Sequence, residues 1–301
     1  MEKGNWTIKG ILEWAISHFK KRGIESPRLN AELLLEYVLK KSRPDLYLEF
    51  DRLLSSSQLA LFKKLVLKRS HYVPLSYLIG EQDFMDLRFK VNSNVYIPRP
   101  ETEVLVEETL KAVQSSKLVV KDKSDWSKPF LIVDLGTGCG NIAISLVKRI
   151  KGSRAYAIDV SKEALEVALQ NARFYKIESK IEFLQGDMFS PLYGLDLEGK
   201  VDLVISNPPY IATDEMEKLS PEVKKEPRIA LDGGKDGLNF YRRIIREAPR
   251  FLSKGKLLAL EIGYDQADKV RKLIMTEGNL EPPVIIADYE GNQRIVLSRR
   301  R

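Results

Sequence analysis

The sequence predicts an α/β protein with a mainly parallel, seven-stranded sheet, preceded by a small helical bundle and a β-hairpin linker. From Phe130 onward, short apolar runs alternate with amphipathic helical patterns, which is typical of parallel sheets covered by helices on both faces. Upstream of residue 76 the pattern is helical. The last two predicted strands are separated only by YEGNQ, too short for a helical crossover, so they must be antiparallel to each other.

Composition bounds the class of protein. The 301 residues, 44% of them hydrophobic, have room for about two domains. No apolar run approaches membrane-spanning length and MEKGNWTIKG lacks the apolar core of a secretion signal, so we expect a soluble, cytoplasmic protein. One cysteine and two histidines provide no disulfide and no zinc cluster, so we expect no metal site. The net charge of +7 favours an acidic partner such as RNA, although moderately basic surfaces are more often simply solvated.

Residues 1–75 are predicted to form a helical bundle. Thr7 to Arg22 places an apolar stripe on one helical face. Ser26 and Pro27 open a second helix by the N-cap and first-turn rule. The apolar stripe of that helix is Leu29, Leu33, Leu34 and Val38. After a short piece around Leu46, Ser55 to Ser57 cap a further helix through LALFKKLVLKRS. Because its pattern is so distinct from that of the α/β region, this module is expected to dock or recognise a partner.

Residues 76–100 are predicted to be a β-hairpin linker, because SYLIGEQDFMDLRFKVNSNVYIPRP contains alternating short strands and an Asn-Ser-Asn turn. A helix is predicted from Glu101 to Gln114, followed by KLVVKDKSDWSK as a charged, solvated loop. The chain therefore divides into a helical docking domain at 1–75, the linker at 76–100 and an α/β domain at 101–301.

The α/β domain supplies the predicted strands and their crossover helices. The strands are, in order, FLIVDL, RAYAID, IEFLQ, VDLVIS, KLLALEI, PVIIAD and RIVLSR. Helices are predicted in NIAISLVKRI, in KEALEVALQNARFY with Ser161 as its cap, and at residues 238–252 and 264–277. Open α/β sheets bind ligands at the carboxyl ends of their strands, so the residues directly after each strand are the candidates for function.

The stretch Val201 to Tyr210, VDLVISNPPY, combines a buried strand with an abrupt stop. Pro208 and Pro209 lack a backbone N–H and have nearly fixed φ angles, so the strand ends there and its last carbonyls point elsewhere. The Asn207 amide oxygen and a proline-locked carbonyl can each accept one N–H, and the Tyr210 ring can cover a flat group. The turn therefore suits a small planar group that carries NH2, although an isolated Asn-Pro-Pro more often only ends a strand.

Three successive strand ends fit a nucleoside. The glycine loop Gly136 to Gly140 lets the backbone turn tightly and approach a ligand, and the helix from Asn141 presents its N-terminal N–H groups there. Asp159, nineteen residues after the loop, ends the second strand, where a carboxylate can accept both hydroxyls of a ribose. The third strand ends in GDMF, where Asp187 can bind an exocyclic amine and Met188 can lie against an adenine.

The kind of nucleoside is indicated by two features that the loop lacks. A dinucleotide site usually shows G-x-G-x-x-G, whereas the third glycine here comes one residue early, and no Gly-Lys-Ser/Thr is present for a nucleoside triphosphate. The expected acidic rim of Asp134, Asp159 and Asp187 suits a cation better than a phosphate. S-adenosylmethionine, a sulfonium attached to adenosine, fits best. The alternative is that Asp134 and Asp159 cap helices and that Cys139 is only a small loop residue.

The blocks VDLGTGCG and NPPY resemble motifs of the class I, Rossmann-like methyltransferases that act on amino groups. Together with IPRPETE at Ile97 to Glu103 and EPRIALDGGKDGL at Glu226 to Leu238, they are similar to the HemK/PrmC family of protein-(glutamine N5) methyltransferases, over nearly the whole chain. The resemblance implies S-adenosyl-L-methionine as donor and S-adenosyl-L-homocysteine as product. It implies as substrate the glutamine of the Gly-Gly-Gln loop in class 1 peptide-chain release factors, docked with help from the leading domain.

The resemblance also implies site residues. By match of motif the donor contacts are Gly136, Thr137, Gly138, Cys139, Gly140, Asp159, Met188 and Asn207, and Asp187 joins them by its place at a strand end. Relatives often carry an aromatic residue at the position of Met188. The glutamine contacts are Asn207, Pro208, Pro209 and Tyr210. Of these, Asn207, Pro208 and Tyr210 are expected to hold the reacting amide in line and to accept its N–H bonds. The sequence assigns no role to Arg99 or Glu101.

Two other functions fit part of the pattern. An adenine or cytosine amino group is also planar and carries NH2, so a nucleic-acid base methyltransferase would suit the same turn and the basic charge. No basic helix with interleaved aromatic residues is evident, however, and the flanking blocks favour the amide-acting family, for which direct nucleic-acid binding is not required. A non-enzymatic sensor of S-adenosylmethionine would have no use for Asn207 at a strand end.

Overall fold

The computed structural model describes residues 6–115 and 129–301. The charged stretch at 117–128, predicted to be a loop, lies outside them. The chain forms two compact units, one of Met1–Glu81 with Ser220–Lys225 and one of Gln82–Leu219 with Glu226–Arg301. Each unit has its own hydrophobic core. Within the described ranges, no helix is both long enough and apolar enough to cross a membrane.

The helices of the first unit are α1 (Ile8–Lys21), α2 (Pro27–Leu39), α3 (Arg43–Leu48), α4 (Ser56–Ser70) and α5 (Leu75–Ile79). Thr7 caps α1, because its hydroxyl accepts the Gly10 N–H at 3.1 Å. Ser55 caps α4 in a reciprocal pair with Gln58. Ser26 does not cap α2 as predicted, because its backbone is left-handed, with φ of 46°, and its side chain makes no capping hydrogen bond.

The core of the helical unit is formed by the apolar faces of α1, α2 and α4. Phe19 and Phe62 are fully buried there. The buried face of α2 includes Ala31, Leu34, Leu35, Val38 and Leu39. Leu29, predicted to belong to this stripe, is instead 41% exposed, because helical periodicity places it on the side of α2 opposite the buried face.

The segment Ser220–Lys225 belongs to the helical unit, although the sequence pattern places it in the α/β domain. The Arg69 guanidinium on α4 donates to Glu222 Oε2 at 2.6 Å, to Asn30 Oδ1 at 2.7 Å and to the Val73 carbonyl at 3.1 Å. Only 5% of Arg69 is exposed, and a buried guanidinium is tolerated when acceptors of this kind satisfy it. Arg69 therefore fixes the segment to α4.

The predicted linker contains a helix and a hairpin. The residues SYLI lie in α5, which ends at Gly80, and are not extended as predicted. The hairpin consists of β1 (Glu81–Phe84) and β2 (Leu87–Lys90). Met85 and Asp86 form its turn, with φ of 52° and 60°, since two left-handed residues match the twist of a tight hairpin. The Asn-Ser-Asn stretch lies after β2 and is not the hairpin turn.

The strands of the α/β unit form a seven-stranded sheet. They are β3 (Phe130–Leu135), β4 (Ser153–Asp159), β5 (Ile181–Gln185), β6 (Val201–Ser206), β7 (Leu252–Glu261), β8 (Val284–Ala287) and β9 (Gln293–Arg299). The helices are α6 (Pro100–Ser115), α7 (Asn141–Arg149), α8 (Lys162–Phe174), α9 (Asn239–Phe251) and α10 (Ala267–Glu277). The order is β5-β4-β3-β6-β7-β9-β8, in which β9 is antiparallel to both of its neighbours and the pairs from β5 to β7 are parallel. The predicted α/β class and mainly parallel sheet are confirmed.

The strand order places a ligand site at the end of β3. The chain runs from β3 outward to β4 and β5 on one side and then returns to β6 on the other, so the order reverses between β3 and β6. Ligands bind outside the carboxyl ends of strands at such a switch point. Leu135 and Ser206 are paired at these ends, and Ser206 Oγ donates to the Leu135 carbonyl at 2.6 Å. The glycine loop and Asn207 therefore directly follow neighbouring strands at the same edge of the sheet.

Candidate active site

The glycine loop turns back over β4 directly after β3. The backbone N–H groups of Gly136 and Thr137 both donate to the Ile158 carbonyl at 2.9 Å. Gly136 and Gly138 have φ of 71° and 55°, and a Cβ added to either would meet no atom within 4 Å. At Gly140 an added Cβ would lie 3.1 Å from side chains of α7 and α8. The first two glycines therefore border open space, whereas the third permits helix packing.

Asp134 lies beneath the loop and not on an exposed rim. Its side chain is fully buried, and its Oδ2 accepts the Thr137 hydroxyl at 2.7 Å and the Ala143 N–H at 3.2 Å. It therefore caps α7, which is the alternative role that the sequence left open for Asp134. Its Oδ1 is buried and has no hydrogen-bond partner among the residues that the structure describes. Burial raises the pKa of Asp134 to about 7.

Asp159 ends β4 beside the glycine loop. One carboxylate oxygen accepts the Gly138 N–H at 2.9 Å and the other accepts the Ser161 N–H at 3.0 Å. Burial raises the pKa of this carboxyl, and the backbone hydrogen bonds oppose that shift. Because a carboxylate oxygen can accept two hydrogen bonds, each keeps capacity for a further donor. The arrangement suits the paired hydroxyls of a ribose.

Asp187 and Met188 come after β5 in unlike environments. Asp187 is exposed, and its two oxygens accept hydrogen bonds from Arg243 of α9 at 3.0 and 2.9 Å. The predicted acidic rim is thus wrong at Asp134, which is buried, whereas Asp187 is exposed and its charge is paired with Arg243. Met188 has a left-handed φ of 55° and belongs to the core cluster that includes Leu135 and Ile158, near the ends of β3 and β4.

Thr137 and Cys139 use their side chains to shape the loop. The Thr137 hydroxyl is bonded to Asp134. Cys139 is 1% exposed, and burial raises the pKa of its thiol to about 12, so the thiol stays protonated. The Cys139 carbonyl accepts the Asn171 side chain of α8 at 2.9 Å. The sequence predicted that Thr137 and Cys139 contact the methyl donor. Because their side chains are engaged within the protein, only their backbone groups remain for a ligand.

Asn207 comes directly after β6 with its amide held on one side. Its Nδ2 donates to Thr102 Oγ1 at 3.0 Å, and the Thr102 hydroxyl donates to Glu261 Oε2 at 2.6 Å. Glu261 ends β7. Thr102 and Glu261 are 2% and 1% exposed. No residue in the described ranges donates to Asn207 Oδ1, so the amide oxygen is the end left for a ligand.

Glu261 is an ionisable group buried at this end of the sheet. Burial raises its pKa to about 7, whereas the hydrogen bond from Thr102 and the positive charge of Arg294 lower it. Perturbed carboxyl groups of this kind cluster at functional sites, where burial and neighbouring charges are arranged to shift pKa values.

The block EPRIALDGGKDGL supports the back of the acceptor turn. A Cβ added to Gly233 would lie 2.8 Å from the Pro209 carbonyl oxygen, and one added to Gly237 would lie 2.3 Å from the Tyr210 carbonyl oxygen. The same Tyr210 oxygen accepts Gln266 Nε2 at 2.9 Å. These glycines are therefore explained by the backbone of the turn passing directly over them.

Arg99 and Glu226 join the two flanking blocks. The Glu226 carboxylate, 5% exposed, accepts the Ile97 N–H at 3.0 Å and the Arg99 guanidinium. Arg99 also lies 5.0 Å from the centre of the Tyr96 ring. Burial raises the pKa of the Tyr96 and Tyr210 hydroxyls, so both stay protonated. Arg99, which the sequence left unassigned, thus fixes the segment that leads into α6.

Sequence reasoning missed Thr102 and Glu261, although both lie in stretches that it singled out. Glu261 carried a usable signal, because it is an acidic residue at the carboxyl end of an otherwise apolar strand, like Asp159 on β4. Thr102 carried none, since 159 residues separate it from Glu261 and only the assembled sheet brings them together.

The switch-point site and the sheet order are those of the class I, Rossmann-like methyltransferases, which as a class use S-adenosylmethionine. Residues 114–222 match the family model of the methyltransferase small domain, and residues 10–80 match that of the PrmC N-terminal domain. The chain belongs to the family of release factor glutamine methyltransferases, as its motifs predicted. The protein of that name from Moorella thermoacetica is 39% identical over 98% of this chain and 99% of its own. That from Geobacter sulfurreducens is 37% identical over 91% and 90%.

Solved structures agree with the fold class at low sequence identity. The hMettl16 catalytic domain, in complex with MAT2A 3'UTR hairpin 6, has a TM-score of 0.53 and 14% identity, with 83% of this chain and 84% of that chain covered. A methyltransferase from Pyrococcus furiosus has a TM-score of 0.50 and 16% identity, with 82% and 98% covered. At such identity the likeness concerns the fold alone.

Proposed function

We propose that this chain transfers a methyl group from S-adenosylmethionine to the side-chain amide nitrogen of the glutamine in the Gly-Gly-Gln motif of class 1 peptide-chain release factors. The observation that carries the proposal is the orientation of Asn207, whose Nδ2 donates to Thr102, itself bound to Glu261, at the strand end next to the glycine loop. The names of the near full-length relatives support the substrate class.

The donor side fits an adenosine that carries a sulfonium. Open space borders Gly136 and Gly138, Asp159 keeps acceptor capacity for the ribose hydroxyls, and the buried Oδ1 of Asp134 would attract positive charge. Met188 would lie against the adenine, and Asp187 would share its carboxylate between Arg243 and the adenine amine. The backbone groups of Thr137, Cys139 and Gly140 would complete the loop. The bound donor supplies an electrophilic methyl group on a positively charged sulfur.

The acceptor side would act on a weak nucleophile. The nitrogen of a glutamine amide attacks poorly, because its lone pair is delocalised into the carbonyl. Asn207 Oδ1 and the Pro208 carbonyl would accept its two N–H groups and hold the nitrogen in line. Both hydrogen bonds strengthen as the nitrogen becomes positive during attack, so they lower the barrier more than they tighten binding. As the nitrogen bonds to the methyl carbon, the bond from that carbon to sulfur would break, and the nitrogen would then lose one of its two protons to solvent.

Pro209 and Tyr210 would complete the acceptor side. The Tyr210 ring would cover the flat face of the glutamine amide, with its hydroxyl kept neutral by burial. Gln266 donates a hydrogen bond to the Tyr210 carbonyl, and the backbone of the turn packs closely against Gly233 and Gly237, so the turn cannot move toward them. Such a support fixes the acceptor geometry before substrate binds.

The helical unit would dock the release factor. A Gly-Gly-Gln loop makes few contacts of its own, so binding energy from a remote surface must offset the ordering of that loop. The segment fixed by Arg69 lies ten residues beyond Tyr210 in the chain, which supports a role for the helical unit in presenting the substrate loop.

The proposal can be tested with labelled donor and an intact class 1 release factor. We expect label in the release factor, no label when its Gly-Gly-Gln glutamine is replaced by glutamate, and no change after ribonuclease treatment. Label that instead enters added RNA and disappears with ribonuclease would favour the nucleic-acid alternative.

A further inference from the structure

We propose that Thr102 and Glu261 are positioning residues that set which end of the Asn207 amide faces the acceptor. The proposal rests on the proposed function only for the identity of that acceptor. Both residues lie behind Asn207, one on α6 and one at the end of β7, and neither is open to solvent.

The hydrogen-bond chain has a direction. A threonine hydroxyl has one hydrogen, and that of Thr102 is donated to the Glu261 carboxylate at 2.6 Å. The Thr102 oxygen can then only accept, and the NH2 end of Asn207 is the end that can donate to it, at 3.0 Å. The ionised Glu261 thus fixes the Asn207 amide with its oxygen outward, where an N–H donor can be bound.

A neutral Glu261 would reverse this direction. Its carboxylic acid could donate to Thr102, the threonine hydrogen would be free for Asn207 Oδ1, and the amide could rotate with its NH2 end outward. Two donors would then face the substrate amide. The charged and titratable groups that face Glu261 are Arg294 on β9, Glu101 on α6, Tyr241 on α9, Tyr96 and Tyr210. Arg294 favours the ionised form, whereas burial and Glu101 oppose it.

At pH 8, replacing Glu261 by glutamine should therefore lower the activity without lowering the stability of the fold. Its pKa is raised in the folded state from 4.5 to about 7, so its contribution to stability is present below pH 4.5 and is lost as the pH rises through 7. At pH 8 the ionised group opposes folding, and Glu261→Gln relieves that opposition. A residue kept only for structure would lower the melting temperature when replaced.

Three variants test the positioning role by methyl transfer to a release factor at pH 8. Thr102→Val keeps the shape but removes the hydroxyl, and we expect kcat to fall about a hundredfold with donor Kd unchanged. Thr102→Ser restores the hydroxyl and should restore most of the rate. Glu261→Gln should lower kcat about tenfold or more without lowering the melting temperature. Equal rates for Thr102→Val and Thr102→Ser, or losses that merely track melting temperature, would overturn the proposal.

A second measurement needs no acceptor and therefore separates this proposal from the proposed function. In protein labelled at asparagine, the side-chain amide resonances of Asn207, identified by their absence in Asn207→Asp, should shift with pH near 7 in the wild type and stay constant in Glu261→Gln. Resonances that do not titrate in the wild type, or that titrate alike in both proteins, would contradict the relay even if the release factor is methylated. Titration with no methylation of the release factor would instead contradict the proposed function alone.

Discussion

The donor side and the acceptor side of this site are held in different ways. The glycine loop is held by groups nearer to it in the chain, since Thr137 binds Asp134, three residues away, and Gly138 binds Asp159, 21 residues away at the end of the next strand. Asn207 is held by Thr102, which is 105 residues away and is itself bound to Glu261 at the end of β7. The first arrangement lies within one unit of two consecutive strands and the helix between them, β3, α7 and β4, whereas the second needs elements that are far apart in the chain. We therefore expect donor binding and methyl transfer to be lost separately.

The largest expected effect is that of Asn207→Ala. The variant removes an acceptor whose hydrogen bond strengthens during attack, so we expect kcat to fall about a hundred- to a thousandfold. Donor affinity, measured by calorimetric titration, should change only modestly. Asn279→Ala, at an exposed site, is the control. Full activity of the Asn207 variant would remove this residue from the mechanism.

A large loss is also expected from Gly237→Ala, because the new Cβ would push against the Tyr210 carbonyl and displace the acceptor turn. Displacements of about 1 Å in an active site can lower the rate about a hundredfold, and kcat should fall by that order with donor Kd retained. Gly278→Ala is the matched control, since it has a similar φ, 74° against 71°, but open space at its Cβ. Similar losses of kcat in both variants would indicate backbone strain and not the turn.

A smaller effect is expected from Asp159→Ala, and it should fall on donor affinity instead of kcat. Loss of a charged acceptor for the ribose hydroxyls, in a bond worth roughly 1.5 to 3 kcal/mol, should weaken donor binding about tenfold or more. Asp187→Ala should have a weaker effect, because its carboxylate is already paired with Arg243 at the surface. Asp268→Ala, exposed on α10, should have none. Unchanged calorimetric affinity in the Asp159 variant would show that this carboxylate does not bind the ribose.

The smallest expected effect is that of Arg69→Met in the helical unit. The segment Ser220–Lys225 loses its anchor, so kcat/KM for the intact release factor should fall severalfold. A free peptide with the Gly-Gly-Gln loop should be a poor substrate for both proteins, with the same kcat/KM. Arg22→Met, at an exposed site of the same unit, should change neither substrate. Equal losses on factor and peptide would mean that the helical unit only stabilises the fold.

The fold could be predicted because its signals are local. Each strand and helix of the α/β unit is a contiguous pattern with its own period, and the glycine loop comes directly after β3. The hairpin turn was misplaced because Met85 and Asp86 adopt left-handed backbones that their residue types rarely favour, whereas the Asn-Ser-Asn stretch has ordinary turn composition.

The environment of each acidic residue could not be predicted in the same way. Asp134, Asp159 and Asp187 look alike as residues at strand ends, yet one is buried under the loop, one binds it and one pairs with Arg243. These differences depend on which helix covers each strand end. The contact of Thr102 with Glu261 could not be predicted either, because no local pattern in the sequence links two residues that are 159 positions apart.

The most direct test of the proposed methyl transfer is a tandem mass spectrum of the release factor after reaction with the wild-type protein. We predict that fragment ions place one added methyl group on the side chain of the Gly-Gly-Gln glutamine. We also predict that this product forms about a hundred- to a thousandfold more slowly with Asn207→Ala. A methyl group on any other residue, or an unmodified release factor beside methylated RNA, would contradict the proposed function.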